Sequence, residues 1–304
     1  MDKMLNKGAR TIRRVAHELC GVAVGAKIPT VSELEVRCDA SRGNIQKALI
    51  VLKETGAVHL EPHGQNGTFL TGIDYLKLAR TLGTQHLVGV MPLPYTLRYE
   101  GLATALYTLL NSDGVRAFIT FLRGSEARVQ MLLDKHADYA VMSRMAFDEY
   151  AAKGLPIEAA LECAPLSYVG QHVLLSATPQ RTDWTDARVG IDDSSADQSI
   201  LTHRYFADTD VQYVPVQYMH IVEMLLSGDI DVGIWNEDDI HVHASDLASR
   251  ALEGQGTQDG NTRAVIAVRA DDPFTRQLVC SLASHRQIEK IQKEVMEGRL
   301  AARY

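Results

Sequence analysis

From residue 86 onward the chain alternates short apolar runs with helix-length stretches, and that alternation restricts it to sheets covered by helices. The β-rich runs fall at 87–91, 115–122, 139–142, 171–177, 188–191, 211–216, 232–235 and 264–268. Helical stretches intervene at 99–111, 125–135, 146–153, 196–206, 220–226 and 274–284. Strands and helices in this order predict βαβ units and a mostly parallel sheet. A charged segment at 285–300 closes the chain as a further helix. The order divides the body: 86–170 makes one α/β lobe, 178–260 a second, and 264–304 returns to the first, with 171–177 and 264–268 reading as two crossovers. No repeat of 20–50 residues is present, so the body is not a solenoid or propeller.

The first 73 residues follow another pattern, joined to the body by a linker at 74–85 that reads as a helix over 74–83. Ile12, Val15, Ala16 and Leu19 share one face of a helix over 9–20. Thr30-Val31-Ser32-Glu33 after Pro29 is a capping box that starts a second helix carrying Leu34 and Val36. Ser41 caps a third, with Ile45, Ala48, Leu49 and Leu52 on one side and Gly56 at its end. Short strands at 57–61 and 68–70 flank a loop at 62–67, where two glycines and an asparagine permit positive φ. Two helices across a tight turn, followed by a hairpin, predict a winged helix-turn-helix, a shape that sets one helix into a DNA major groove.

Composition narrows the classes. Of 304 residues, 46% are hydrophobic and 23% charged, as in a globular chain of about two domains. Residues 1–70 carry 10 Lys+Arg against 7 Asp+Glu, a charge of +3, and the rest carry 21 against 31, or −10. Only the head is basic, so nucleic acid is expected there and not across the whole surface. No run of ~18 apolar residues exists to span a bilayer, and residues 1–8 lack the apolar core of a signal peptide, so the expected location is the cytoplasm with no membrane partner. Cys20, Cys38, Cys163 and Cys280 form no CxxC pair, which excludes a zinc knuckle or disulfide framework.

Ile28-Pro29-Thr30, Glu33-Leu34, Ser41-Arg42, Ala48-Leu49, Gly56, Gly64 and Gly67-Thr68-Phe69 resemble the GntR-type winged-helix domain in order and spacing. The body's two lobes and two crossings resemble the periplasmic-binding-protein type II fold, familiar as the effector domain of LysR regulators. Met91-Pro92-Leu93-Pro94-Tyr95-Thr96, Tyr99-Glu100-Gly101-Leu102-Ala103, Val141-Met142-Ser143-Arg144, Tyr168-Val169-Gly170, Ser195-Ala196-Asp197-Gln198 and Trp235-Asn236 resemble the bacterial YhfZ regulators over nearly the whole chain. The resemblances imply an α/β protein: an N-terminal winged helix-turn-helix plus a two-lobed α/β effector domain that also dimerises.

Within that frame the DNA-reading candidates are Ser32, Ser41, Arg42, Asn44, Gln46, His63 and Gly64. A hydroxyl and free N–H groups at a helix start suit a phosphate oxygen. Arginine forks onto phosphate or guanine, and Asn44 and Gln46 suit adenine. Ser32 stands where many GntR-type members have a base-contacting arginine, Gln46 replaces another, and Gly43 weakens the helix start. The resemblance therefore implies a different operator, with weaker and less salt-sensitive binding. His63 and Gly64 lie on the wing beside the minor-groove backbone.

Ligands in α/β lobes bind beyond the carboxyl ends of strands. Those ends supply Tyr95, Arg123, Gly124, Ser125, Ser143 and Arg144 in the first lobe, and Asp192, Ser194, Ser195, Gln217, Trp235 and Asn236 in the second. Ser125 and Ser195 precede helices and, with Arg123 and Arg144, suit an anion. Trp235 and Tyr95 form apolar walls. The expected effector is a small carboxylate- or phosphate-bearing molecule. One head buries little DNA, so a homodimer on a palindromic double-stranded operator is expected, and the GntR resemblance implies repression.

No catalytic residue, metal or cofactor is expected. Asp238-Asp239 with His241, His243 and His220 resembles a metal cluster, but it lies in a stretch that reads as solvated loop. GxSxG, HExxH and GxxxxGK[ST] are absent, and no body lysine ends an expected strand to form a Schiff base. The competing reading is an enzyme acting on a small anion in the same cleft, its head vestigial or an interaction module. Asp192, Asp193 or Glu237 would be its base, with no histidine placed to assist.

Overall fold

The computed structural model describes residues 7–84, 86–111, 114–239, 247–252 and 259–304. They form two compact units. One joins residues up to Leu87 with Leu110–Phe118 and Ala270–Ala283; the other holds Val88–Leu109, Ile119–Arg269 and Ser284–Tyr304.

In the first unit, α1 (Lys7–Cys20), α2 (Val31–Cys38) and α3 (Arg42–Glu54) precede an antiparallel hairpin of β1 (Val58–Pro62) and β2 (Thr68–Ile73). Val15, Leu19, Leu34, Ile45, Leu52 and Leu70 are fully buried together, because each helix presents one apolar stripe inward. The linker segment holds the helix the sequence predicts there. It is α4 (Tyr75–Leu82), whose Leu78 is buried in the same core, with Asp74 as its cap accepting from Lys77 N at 3.0 Å. A late helix, Pro273–Leu282, packs against α1 and α4, and its Phe274 joins the cluster.

The second unit holds most of two five-stranded sheets. Sheet one is built from β3 (His86–Met91), β4 (Arg116–Phe121), β5 (Tyr139–Ser143), β6 (Ile157–Glu162) and β12 (Ala264–Arg269), in the order β4-β3-β5-β12-β6. Sheet two is built from β7 (His172–Ser176), β8 (Arg188–Ile191), β9 (Gln212–Pro215), β10 (Val232–Asn236) and β11 (Ala248–Ala251), in the order β11-β7-β10-β8-β9. Helices α5 (Leu97–Leu110), α6 (Ser125–Leu133) and α7 (Arg144–Ala152) serve the first lobe, and α8 (Ala196–Tyr205) with α9 (Ile221–Ser227) the second. Three more follow: α10 (Asp259–Thr262), α11 (Pro273–Leu282) and α12 (His285–Met296).

Two expectations are corrected. The sheets are mixed: β3–β5, β8–β10 and β8–β9 are parallel, whereas β12 runs antiparallel to β5 and β6, and β7 antiparallel to β10 and β11. The runs read as crossovers are themselves interior strands, since β7 is buried at every position and β12 at all but its last. A strand that re-enters a sheet after crossing between lobes needs no helix-spanned return and can pair antiparallel. The crossings lie side by side, with Tyr168 N donating to Thr262 O at 2.8 Å and Cys163 N to Ala264 O at 2.9 Å. Paired connections of this kind make a hinge.

Candidate DNA-reading head and interlobe cleft

In the head, the capping box forms as the sequence predicts. Glu33 N donates to Thr30 Oγ1 at 3.3 Å and Thr30 N to Glu33 Oε2 at 2.7 Å. That backbone bond holds the exposed Glu33 carboxyl below the usual carboxylate range. Asp39, at φ 46°, turns the chain from α2 into α3. Ser41 is the N-cap of α3, yet its hydroxyl makes no capping bond. Asn44 N donates to Ser41 O at 2.9 Å, so the hydroxyl and the N–H groups of Arg42 and Gly43 are the ones an anion could use. Arg42 and Gln46 are exposed, Asn44 is half-buried, and Ser32 is exposed on α2. His63 and Gly64 sit on the exposed wing. His63 stands 3.3 Å from Glu61 Oε1 and its ring lies 4.7 Å from Phe69, a local tether that competes with reaching DNA.

The sequence reading missed a basic face. A groove beside Ser41 and Asn44 is lined by Lys7, Arg10 and Arg14 of α1. Their spacing puts them on one side of the helix, which was the available signal. Arg14 is partly committed, donating to Cys38 O at 2.6 Å.

In the body, the lobes meet across a cavity of about 60 Å³. Tyr95, Arg123, Gly124, Ser125, Asp192, Ser195 and Asn236 line it, as the strand-end argument expected. Five expected residues do not. Ser143 is fully buried and caps α7 through Ala146 N at 2.9 Å. Arg144 is held on the surface by Asp148 at 2.9 Å and Glu162 at 2.8 Å. Ser194 is turned back, its Oγ donating to Asp192 Oδ1 at 2.6 Å. Gln217 accepts from Arg123 Nη1 at 3.0 Å. Trp235 stacks behind Tyr218 with ring centres 4.4 Å apart, and lines a separate apolar groove with Val222 and Leu226. An arginine or serine at a strand end turns to whichever neighbour completes its bonds, which strand order alone does not specify.

The cavity also gathers residues that spacing did not reveal: Arg128, Asp197, His172, Tyr99, Tyr168 and Tyr218. Arg128 is 4% exposed and donates to Val141 O at 3.0 Å, Leu122 O at 3.0 Å and Tyr168 OH at 3.1 Å. Asp197, on the first turn of α8, accepts from Ser143 Oγ at 2.5 Å, one of the bonds across the lobes. Burial raises its pKa to about 6, against the lowering effects of Ser143 and Arg128. Burial lowers His172 to about 4, so its ring is neutral, with Nδ1 2.8 Å from Asn261 Nδ2. Asp192 is occupied: Oδ1 accepts from Ser194 and Oδ2 from Tyr218 N at 2.8 Å. Asn236 is 2% exposed, and its side-chain Nδ2 has no partner.

Other bonds also hold the lobes together. Ala196 N donates to Ser125 Oγ at 3.2 Å, and Arg98 Nε to Asp238 Oδ2 at 2.9 Å. Among the described residues no group of three His, Cys, Asp or Glu side chains is placed to hold a metal ion. His241 and His243 lie outside the described residues. No helix of the described residues is long and apolar enough to cross a membrane.

A helix-turn-helix domain joined to a two-sheet body of the periplasmic-binding-protein kind defines the class. The chain belongs to the YhfZ family: the YhfZ C-terminal domain matches residues 74–304, and a helix-turn-helix domain matches 23–70. It is 34% identical over 300 residues to the protein YhfZ of Escherichia coli (strain K12), covering 97% of this chain and 96% of that one. The crystal structure of YhfZ from Shigella flexneri superposes with a TM-score of 0.66 at 32% identity, over 76% of this chain and 98% of the other. An amino acid ABC transporter substrate-binding protein, AbpA from Streptococcus pneumoniae Canada MDR_19A, shares the fold at 17% identity and a TM-score of 0.51, over 74% of this chain and 95% of that chain.

Proposed function

We propose that the chain is a one-component transcription regulator, a repressor that binds a palindromic operator as a homodimer and releases it when a small carboxylate- or phosphate-bearing metabolite occupies the cleft. The observation that carries the reading is a combination within one chain. A helix-turn-helix leaves the Ser41 hydroxyl at the start of its reading helix without a capping bond, beside Lys7 and Arg10, and a hinged body keeps Asn236, its amide nitrogen unpartnered, in the lining of a cavity between its lobes. A buried donor without a partner costs about 1–3 kcal/mol, a cost that an acceptor on a ligand removes. The carboxylates that an enzyme reading would use as bases are bonded elsewhere: Asp192 as above, Asp193 to Ser199 Oγ, and Glu237 to Gln171.

Fluorescence anisotropy on DNA from upstream of the gene, at two salt concentrations, tests the head. Binding is expected to weaken with salt and to fall by one to two orders of magnitude in Arg42→Ala. Light scattering should give twice the chain mass of 33.5 kDa. Equal, weak binding of any DNA by both proteins would remove the regulator reading.

A further inference from the structure

The cleft holds more unmet acid than its expected ligand explains. Asp197 is buried and lines the cavity, one of its oxygens takes the Ser143 hydroxyl at 2.5 Å, and among the described residues no donor reaches the other. A buried carboxylate wants a paired cation and filled lone pairs. Arg128 is the neighbouring cation, but three of its N–H groups are committed to Val141 O, Leu122 O and Tyr168 OH. Two of its five donors therefore remain. The same cavity is lined by Asn236, whose amide nitrogen is buried and without a partner. Acceptor and donors thus stand in one chamber of about 60 Å³, room for on the order of half a dozen heavy atoms at 10–15 Å³ for each water-sized occupant.

We propose that the effector is a short zwitterion, its primary ammonium seated on Asp197 and its acid group on Asn236 and the spare N–H groups of Arg128. The assignment rests on the effector-binding reading above and adds a cationic pole to it. An ammonium supplies three donors to an oxygen that has none. It also bonds a residue of α8 that is already tied to β5 across the cleft, so it favours the closed lobes. The charged and titratable groups around Asp197 are Arg128 of α6 and Tyr168 of the crossing segment, with neutral His172 on the same cavity. Asp197 is ionised above about pH 6, so amine binding strengthens from pH 5 to pH 8. An acid bound through a protonated Asp197 would weaken over that range.

The test is isothermal titration of the full-length protein with matched pairs: β-alanine and propionate, 4-aminobutyrate and butyrate, taurine and ethanesulfonate, O-phosphoethanolamine and ethyl phosphate. Binding is expected only among amine-bearing members, tighter at pH 8 than at pH 5. It should weaken about 30-fold or more in Asp197→Asn, which keeps the Ser143 bond but removes the charge. In Ser143→Ala, which leaves the carboxylate, the requirement for the amine should persist. An amine-less acid that binds as tightly, survives Asp197→Asn and is lost in Asn236→Ala would overturn the zwitterion while leaving the effector site standing. Failure of every compound in both arms would count against both.

Discussion

Asp197 and His172 face one cavity and pull the pH dependence of stability in opposite directions. His172 is held down at about 4 from its ordinary 6.5, so its contribution is complete above pH 6.5 and is lost as pH falls toward 4. Asp197 is raised from 3.8 to about 6, so its contribution is complete below pH 3.8 and is lost as pH rises through 6. Between pH 4 and 6.5 the two offset, and the body's stability should be nearly level. Asp197→Asn removes one arm. The variant should gain on the order of 3 kcal/mol at pH 8, and lose stability from pH 6.5 to 4 where the parent does not. Urea unfolding followed by tryptophan fluorescence reads this in the second lobe, where Trp184 and Trp235 lie; identical pH slopes would count against it. In the head, Thr30→Ala should cost about 1 kcal/mol through loss of the capping box, seen as a lower melting temperature, and no change would contradict the cap's role. That box was legible because it spans four consecutive residues. Arg128 was not, because its place is set by carbonyls at Leu122 and Val141 that only the folded sheet brings together.

At the scale of elements, α4 and α11 belong to the packing of the head. A fragment of residues 1–73 lacks Leu78, which is fully buried among the head's apolar side chains. It should show no cooperative melt by circular dichroism, whereas residues 1–87 should. Equal stability of the two fragments would place α4 outside the core. The local periodicities of α1 to α3 and of the wing were readable because each element's pattern is self-contained. Two strands escaped reading for the converse reason. β6 is Ile-Glu-Ala-Ala-Leu-Glu, composed mainly of good helix formers, and pairs only because β12 offers an edge. β11 is four residues, Ala-Ser-Arg-Ala, without a β-branched side chain. With both edge strands unseen, the antiparallel pairing of β12 and β7 was hidden, and the alternating strand–helix order looked wholly parallel.

At the scale of the molecule, the account joins DNA binding to the state of the cleft. β12 runs from the hinge and leads, after three residues, into α11, which packs with α1 and α4 of the head. The backbone is therefore continuous from the crossing segments to the head's own packing. Ligand-driven closure is expected to change operator affinity by about 5- to 150-fold, a coupling of 1–3 kcal/mol. A covalent clasp tests this without knowing the ligand. A Cβ at Gly124 would stand 3.5 Å from Ser194 Cβ, within the range for a disulfide. It would also lie 2.9 Å from the backbone oxygen of Ser194 at φ 75°, so the backbone must shift to admit it, and the left-handed conformation adds strain for any residue but glycine. The measurement is operator affinity of Gly124→Cys/Ser194→Cys, with Cys280 replaced by serine, before and after reduction. The account predicts an affinity that shifts on oxidation and returns with dithiothreitol. A fully formed disulfide that leaves operator affinity unchanged would contradict it.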